Sequence, residues 1–249
     1  MQTTSYTSVL TLALSLGLAA SLQVPEYVKQ CKLSSPNLQE CLIGSLHHLR
    51  PYLVKGIPEI HLPSVEPFIL DSLSLALTGG DQGYKITLRD IHMYGASNFT
   101  VTKLKLSKDN NPFEARVLIP EMTIDANYTS SGVLIILPAS GGGTFHANLG
   151  NVVALVKGFT STYKKEGLDY LTIDKLSIDL NIKNIRMRVE KIFNNNRILT
   201  EATNLFLREN GHEVLNVMMP QLRIKMAQVI KKVVNQLLLH TPVQLMVKP

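Results

Sequence analysis

The order of hydrophobic and polar residues changes period twice along the chain. Near the N-terminus, apolar residues recur at helical spacing and predict a helix that ends at Pro51. These apolar positions are Leu38, Leu42, Leu46 and Leu49. After a proline-rich connector, GIPEIHLPSVEPF, the period becomes two, which is typical of strands with one buried face. In ILDSLSLALTGG, for example, Leu73, Leu75 and Leu77 alternate with small or polar residues before a turn at glycines 79, 80 and 83.

Alternation recurs through residues 99–190 and predicts a meandering antiparallel sheet. Its clearest example sets four apolar residues against three polar ones, namely Leu176, Ile178, Leu180 and Ile182 against Ser177, Asp179 and Asn181. Some runs contain a slip, such as residues 101–104, which predicts bulges in long and strongly curved strands. We expect SGGG, residues 140–143, to be a flexible hairpin turn, because the Lys-Ser/Thr of a phosphate-binding loop does not follow it.

The end of the chain returns to helical spacing and predicts one long helix. Its apolar positions form a near-unbroken stripe of Leu215, Met219, Leu222, Met226, Val229, Val233 and Leu237. We expect a break at Asn210 and Gly211, and a kink or restart at Pro220. So long a stripe needs an apolar partner of equal length, and the only candidate is the apolar face of the sheet. The sequence therefore predicts an α+β fold, a strongly curved antiparallel sheet wrapped around one long C-terminal helix, in a single domain of residues 23–249.

The first residues indicate export. Residues 9–20, VLTLALSLGLAA, form an uncharged apolar run that is too short to span a bilayer and ends in small residues. We expect residues 1–22 to be a signal peptide and the protein to be secreted and extracellular; the alternative is a buried apolar helix. In an oxidising compartment Cys31 and Cys41 should pair, which would stabilise the fold by roughly 2–3 kcal/mol. The sequons NFT and NYT predict glycans at Asn98 and Asn127, on exposed turns.

The net charge of +6 adds little to this picture. Basic residues are spread along the chain, no basic motif is interleaved with aromatic residues, and tryptophan is absent. We therefore expect no nucleic-acid partner and at most weak contact with an anionic membrane. Separately, we expect the protein to be a monomer.

Motifs for catalysis or metal binding are missing from the sequence. No Gly-x-Ser-x-Gly elbow occurs, and the two cysteines should be consumed by their own bridge. His47 and His48 are adjacent, so on a helix they point about 100 degrees apart and cannot share a metal ion. The other histidines show no ligand spacing. We expect no cofactor, no metal site and no enzymatic activity.

One C-terminal segment, IFNNNRILTEATNLFLRENGHEVLNVMMPQL, resembles the signature of the takeout and juvenile-hormone-binding family of insects. The matching positions are the Asn-rich turn Asn194, Asn195 and Asn196, then Leu199, Glu201, Asn204 and Phe206. The N-terminal cysteine pair and the segments HLPSVEPFILDSLSL and LDYLTIDKLSIDLNIKNIRMRVE also match in placement. The chain departs from the family at Gly211, where a tryptophan is usual, and lacks the second disulfide of the hormone carriers, so it is more similar to takeout.

The resemblance implies a tubular lipid-binding fold with an apolar tunnel, and hence a secreted, non-catalytic carrier of a small elongated hydrophobic ligand such as a terpenoid or fatty acid. Methionine suits such a tunnel because it is unbranched and adaptable. We predict that the ligand contacts Leu73, Leu75, Leu137, Phe145, Met218, Met219, Leu222 and Met226. For any single one of these residues, ordinary core packing is the alternative. Two other functions remain open, a membrane-surface lipid-binding or antimicrobial module of the same fold and a secreted lipid hydrolase.

Overall fold

The computed structural model describes residues 23–76, 83–107, 112–134, 137–138, 140–190 and 197–249. Ten strands occur in it: β1 (Cys31–Lys32), β2 (Phe68–Ala76), β3 (Lys85–Tyr94), β4 (Thr100–Leu106), β5 (Pro112–Ser131), β6 (Val133–Leu134), β7 (Leu137–Pro138), β8 (Gly141–Lys165), β9 (Leu168–Glu190) and β10 (Val247–Lys248). The α-helices are α1 (Leu38–Lys55), α2 (Arg197–Leu239) and α3 (Val243–Met246), with 3₁₀ turns at Pro58–Ile60 and Ala96–Asn98. The predicted signal peptide and the Asn-rich turn lie outside the described residues. Within the described ranges, none of the helices has both the length and the apolar character needed to cross a bilayer.

The main sheet has the strand order β2-β3-β5-β8-β9, and every neighbouring pair is antiparallel. One side of β5 takes two partners in succession, since β3 pairs with residues 123–131 and β4 with residues 113–118. The register shifts between Val101 and Lys103 in β4 and between Phe159 and Thr160 in β8. The slip at residues 101–104 therefore is a bulge, and bulges increase the bend and twist of long strands. The predicted α+β fold, a curved antiparallel sheet with a long C-terminal helix, is confirmed.

Helix α2 bridges the two edge strands of this sheet, β9 and β2, and its side-chain amides take the place of a neighbouring strand. The side-chain oxygen of Asn235 accepts from the Ile173 backbone N–H at 2.8 Å, and its Nδ2 donates to the Ile173 carbonyl at 3.1 Å. Asn204 makes the same pair of bonds to Val189, at 2.8 and 2.9 Å. On the other edge, Gln221 bonds both backbone groups of Ala76. These amides satisfy edge groups that would otherwise need another strand.

Four details of the helix and strand bounds differ from the sequence-based expectations. Helix α1 continues through Pro51 to Lys55, because Leu53 beyond the proline is half-buried against the core and its packing offsets one lost hydrogen bond. Helix α2 has non-helical dihedrals at Asn210, as expected, but continues through Pro220. Pro220 is exposed, so the carbonyl that loses its N–H partner can face water.

The segment SGGG is a strand and not a turn, because Gly141, Gly142 and Gly143 open β8 and pair with Ser130, Thr129 and Tyr128. A Cβ on Gly142 would lie 3.0 Å from the Tyr128 carbonyl oxygen, so this close pairing favours glycine. The fourth difference is GVLIILPAS, residues 132–140, where the alternating pattern predicts one strand. Its described part instead contains the short pair β6 and β7.

The two ends of the described chain are tied together beside α1. Cys31 and Cys41 form the expected disulfide, which joins β1 to α1, and β1 pairs in parallel with β10 through Cys31 and Val247. The two predicted glycosylation positions are exposed. Asn98 ends a 3₁₀ turn as expected, whereas Asn127 lies within β5 and not on a turn, with its Nδ2 donating to the Asp90 carboxylate at 3.1 Å. Glycan occupancy at both stays a prediction.

Candidate ligand-binding cavity

A cavity of about 540 Å³ lies between the concave face of the sheet and α2. Its walls come from α1, from the connector before β2, from all the long strands and from α2; they include Leu49, Leu62, Leu75, Ile119, Phe145 and Ile182. The volume falls within the range of small-molecule sites, about 300–1,000 Å³. The alternating pattern of each strand explains why its inward side chains are apolar, and the bulges curve the strands so that helix and sheet do not meet along their whole length.

The cavity is elongated along the helix. The lining residues of α2 extend from Thr203 to Leu237, which corresponds to about 50 Å of helix at 1.5 Å per residue. One end is bounded by α1 and the other by the strand ends around Gly141. The shape therefore suits a long, thin molecule.

Most of the predicted ligand contacts lie on the wall of this cavity. The predicted contacts that line it are Leu73, Leu75, Phe145, Met218, Leu222 and Met226. Whether these residues touch a ligand stays a prediction. The side chain of Leu137 lies outside the described part of the chain.

Met219 does not line the cavity. It is buried in the main core cluster, whose other members include Val214, Leu215, Met187 and Leu149, and these four do line the cavity. Helical spacing identifies the side of α2 that faces the sheet, but it does not tell where the two surfaces touch and where they leave a space. Gly211 is also buried where α2 contacts β9, and a Cβ there would lie 3.5 Å from Cγ2 of Ile185, which is an ordinary van der Waals distance.

A small cluster of hydroxyl groups marks the cavity wall near Gly141. Tyr84, Tyr128, Ser130 and Ser140 all line the wall there, and Tyr84 and Tyr128 are buried. Burial raises the pKa of Tyr84 to about 12, opposed by a hydrogen bond from Ser130. Burial, with a smaller contribution from neighbouring Tyr84, raises the pKa of Tyr128 to about 12. Both phenols are therefore neutral hydrogen-bond donors at physiological pH.

The wall carries no charge along the described chain, since its lining includes no Asp, Glu, Lys, Arg or His. An ionised ligand group at depth would have no counter-ion there, and burying an unpaired charge is strongly unfavourable. Nor do the described residues contain a group of three or more His, Cys, Asp or Glu placed to hold a metal ion. The cavity can thus desolvate a neutral molecule and offer it a few hydroxyl groups.

Sequence reasoning did not identify the tyrosine cluster or the contribution of α1. The alternation of Tyr84, Ile86 and Leu88 was a usable signal, since it places Tyr84, the residue just before β3, on the same inward side as Ile86 and Leu88. The leucines Leu46, Leu49 and Leu53 of α1 line the other end. Their helical spacing is visible in the sequence, but the sequence around α1 does not show that this helix covers one end of the cavity.

Helix α1 is held at that end by polar contacts to the chain around β4. Backbone N–H of Val101 donates to Nε2 of His47 at 2.9 Å, and Nη1 of Arg50 donates to the Phe99 carbonyl at 3.0 Å. His47 can accept this bond only while Nε2 is unprotonated. Burial, together with the nearby Arg50 guanidinium, lowers the pKa of His47 from its ordinary value.

This contact predicts a pH dependence of stability. On acidification the unfolded state, in which His47 has a pKa of about 6.5, takes up its proton before the folded state does. The contribution is therefore complete above pH 6.5 and is lost as the pH falls through the lower folded-state pKa. We expect His47→Gln, which can still accept the bond but cannot be charged, to reduce the loss of unfolding free energy between pH 7.5 and 5 in urea titrations. His48→Gln on the same helix is the control, and an equal effect of both variants would contradict the assignment.

A curved antiparallel sheet and a long helix that enclose a charge-free, elongated cavity define the tubular class of lipid-binding proteins. The chain belongs to the haemolymph juvenile hormone binding protein family, whose model matches residues 9–248. It is similar to the circadian clock-controlled protein daywake of Drosophila melanogaster, with 26% identity over 231 residues, covering 90% of this chain and 88% of the relative. A putative beta-carotene-binding protein of Schistocerca gregaria is 26% identical over 125 residues, covering 50% of this chain and 49% of the relative.

The fold is also similar to that of a solved structure, Takeout 1 of Epiphyas postvittana. The TM-score is 0.79 at 21% sequence identity, covering 89% of this chain and all of that one. The family match over residues 9–248 confirms the resemblance seen in the C-terminal segment and the cysteine pair.

Proposed function

We propose that the protein is a secreted, extracellular carrier that encloses a small, elongated and electrically neutral hydrophobic molecule. The observation that carries the proposal is the continuous apolar cavity without charged lining residues in the described chain. Family membership supports the general role. The name of the locust relative, a putative beta-carotene-binding protein, supports a long neutral ligand.

Burial alone supplies enough free energy for such a role. Each methylene group removed from water contributes about 0.8 kcal/mol, so a chain of a dozen gains roughly 10 kcal/mol. Ordering and association cost several kcal/mol of this. With a cost of about 4 kcal/mol, the lower end of the usual range, the remaining energy of about 6 kcal/mol corresponds to a Kd of roughly 40 μM, without any catalytic or ionic interaction.

The hydroxyl cluster would set the orientation of the ligand. Tyr84 and Tyr128 are neutral donors on an apolar wall, so they suit a hydroxyl, carbonyl or ester oxygen at one end of the ligand. A carboxylate would also accept from them, but it would lose its solvation without gaining a cation. We therefore expect the neutral form of a lipid to bind better than its ionised form.

Dodecanoic acid and its methyl ester test this expectation directly. In displacement of a fluorescent apolar probe at pH 7.5, we expect the ester to bind at least tenfold more tightly than the acid, because burying the unpaired carboxylate costs more than 1.4 kcal/mol. Lowering the pH to 5 should strengthen binding of the acid, which is then more protonated, and leave the ester unchanged. Equal affinities at pH 7.5 would disprove the preference for neutral ligands, whereas no saturable binding of either would disprove the carrier.

A matched pair of tyrosine variants tests the hydroxyl cluster in the same assay. Tyr84→Phe should weaken binding of the methyl ester roughly two- to tenfold, which corresponds to the loss of one hydrogen bond. Tyr94→Phe should leave affinity unchanged, because Tyr94 is exposed on β3 and does not line the cavity.

The other sequence-based expectations remain predictions of this proposal. Cleavage after residue 22, glycans at Asn98 and Asn127 and a monomeric state follow from the secreted carrier. A lipid hydrolase would require ester turnover that a single serine or histidine substitution abolishes. Organic-solvent extraction and mass spectrometry of the purified protein would identify its bound molecule.

A further inference from the structure

One half of the outer, convex face of the sheet is strongly basic. The cross-strand register aligns Lys103 with Arg116 and Leu155, Lys105 with Glu114 and Lys157, and Phe159 with Lys175. These side chains point away from the cavity, since their neighbours Ala115, Val117, Ala154 and Val156 line it. We call the following set the basic sheet face: Lys103, Lys105, Glu114, Arg116, Leu155, Lys157, Phe159, Lys175 and Asp179.

Two large apolar side chains are exposed in the middle of this face. Leu155 is 42% exposed and Phe159 is 48% exposed, and both belong to β8, which has a partner strand on each side. The outward positions of a solvated sheet are normally polar. A shallow depression of about 320 Å³ lies beside Leu155, between Arg116 and Asp179. The face therefore combines exposed cations with exposed apolar groups.

The cations of this face outnumber its carboxylates. Five basic side chains and two acidic ones leave it with a charge of +3, half of the net +6 of the chain. Its carboxylates are already engaged, because Asp179 bonds Nη2 of Arg223 at 2.6 Å and Glu114 bonds Nζ of Lys157 at 3.0 Å. The hydrogen bond from Lys157, with the charges of Lys157, Lys105 and Lys103, lowers the pKa of Glu114.

The other half of the same outer face is electrically balanced. Its outward charged side chains comprise five cations and five carboxylates, namely Lys85, Arg89, Lys183, Arg186 and Arg188 with Asp71, Asp90, Glu121, Asp125 and Glu190. Several are paired locally, as in the contacts of Arg188 with Glu190 at 3.2 Å and of His146 with Asp125 at 2.6 Å. The positive charge is thus localised on one part of the surface and is not a general property of the sheet.

We propose that the basic sheet face docks the protein on an anionic phospholipid bilayer. Lysine and arginine side chains would contact the lipid headgroups, while Leu155 and Phe159 would insert below them. Docking through the convex face would leave the cavity undisturbed, because the cavity lies on the opposite side of the same strands. This proposal rests on the outer surface and does not depend on the identity of the enclosed ligand.

Vesicle flotation of the full mature chain tests the electrostatic part. Vesicles of phosphatidylcholine with 30% phosphatidylserine should bind the protein, and binding should weaken as salt rises and be absent on pure phosphatidylcholine. Each basic residue near an anionic surface contributes about fivefold to binding, so a Lys103→Gln, Lys105→Gln and Arg116→Gln variant should bind about 100-fold more weakly.

A control with the same net charge separates a docking face from general attraction. The variant Arg89→Gln, Arg186→Gln and Arg188→Gln removes three cations from the other half, about 30 Å along β8. At 0.1 M salt this exceeds the Debye length of about 10 Å, so we expect less than a threefold loss. Equal losses in both triple variants, or no binding to phosphatidylserine vesicles at low salt, would overturn the proposal.

The absence of tryptophan makes insertion directly measurable. We expect Phe159→Trp to give a blue-shifted emission, quenched by brominated lipids, on phosphatidylserine vesicles. Tyr94→Trp, an exposed outward position of the other half, should not respond. If the Phe159→Trp emission instead shifts to the blue with rising protein concentration in the absence of vesicles, and sedimentation shows a dimer, a second copy of the chain covers this face. That result would overturn the proposal. Unchanged uptake of the apolar probe by these variants would show that the cavity is intact.

Discussion

Replacing Met226 with tryptophan is expected to weaken ligand binding about 30-fold without unfolding the protein. Met226 lines the cavity from α2, between Leu222 and Ile230 on the same wall. The larger indole would occupy space equivalent to two or three methylene groups of ligand, which costs roughly 2 kcal/mol of binding. Because the site is a void, the added side chain should not force the core apart, and the unfolding free energy should stay the same or rise.

The matched control for this substitution is Ile224→Trp. Ile224 lies on the same helix but is 60% exposed and does not line the cavity. Titration of an apolar fluorescent probe outside the tryptophan emission range should give wild-type affinity for this variant and the large loss only for Met226→Trp. If Met226→Trp binds normally and remains folded, the cavity beside Met226 is not where the ligand lies.

Most of the fold followed from periodicity, because burial on one side of a strand or helix determines the sequence of that side. The alternation in β9 and the stripe of α2 each identify a buried face, and only one arrangement lets the two faces cover one another. The break at Asn210 was also predictable, because Asn-Gly combines two poor helix formers. The helix end predicted at Pro51 was wrong and no restart occurs at Pro220, because helix continuation depends on tertiary packing and exposure, which local propensity does not contain.

The candidate site was less predictable than the fold, because a cavity is an absence of contact between surfaces. The sequence identifies Met219, Leu222 and Met226 as members of one stripe, and it cannot separate side chains that touch the sheet from those that border a space. The glycines of residues 141–143 show the same limit, since their turn-like composition serves close strand pairing at the cavity end. Nothing in the local sequence pattern indicates that the side-chain amides of Asn204 and Asn235 bond the edge of the sheet.

The stripe of α2 therefore contains methionines with two different roles, and alanine substitutions should distinguish them. Met219 is 7% exposed in the main core cluster, so Met219→Ala should create a new cavity and cost about 2–5 kcal/mol of unfolding free energy. Met226 already borders a void, so fewer partner atoms are lost and no new cavity opens. We expect Met226→Ala in ligand-free protein to cost about 1 kcal/mol or less, since alanine also favours the helix slightly.

Urea denaturation of delipidated protein measures both free energies under one condition, with equal m-values as the requirement for comparison. Loading with ligand should narrow the difference between the two variants, because it should raise only the cost of Met226→Ala. Ligand in contact with Met226 adds the partner atoms that the empty cavity lacks, so Met226→Ala should lose more stability in the loaded protein than in the empty one. Met219→Ala should lose the same amount in both states. Equal costs for the two variants in empty protein would mean that helix and sheet are in contact at both methionines, and the carrier mechanism would lose its physical basis.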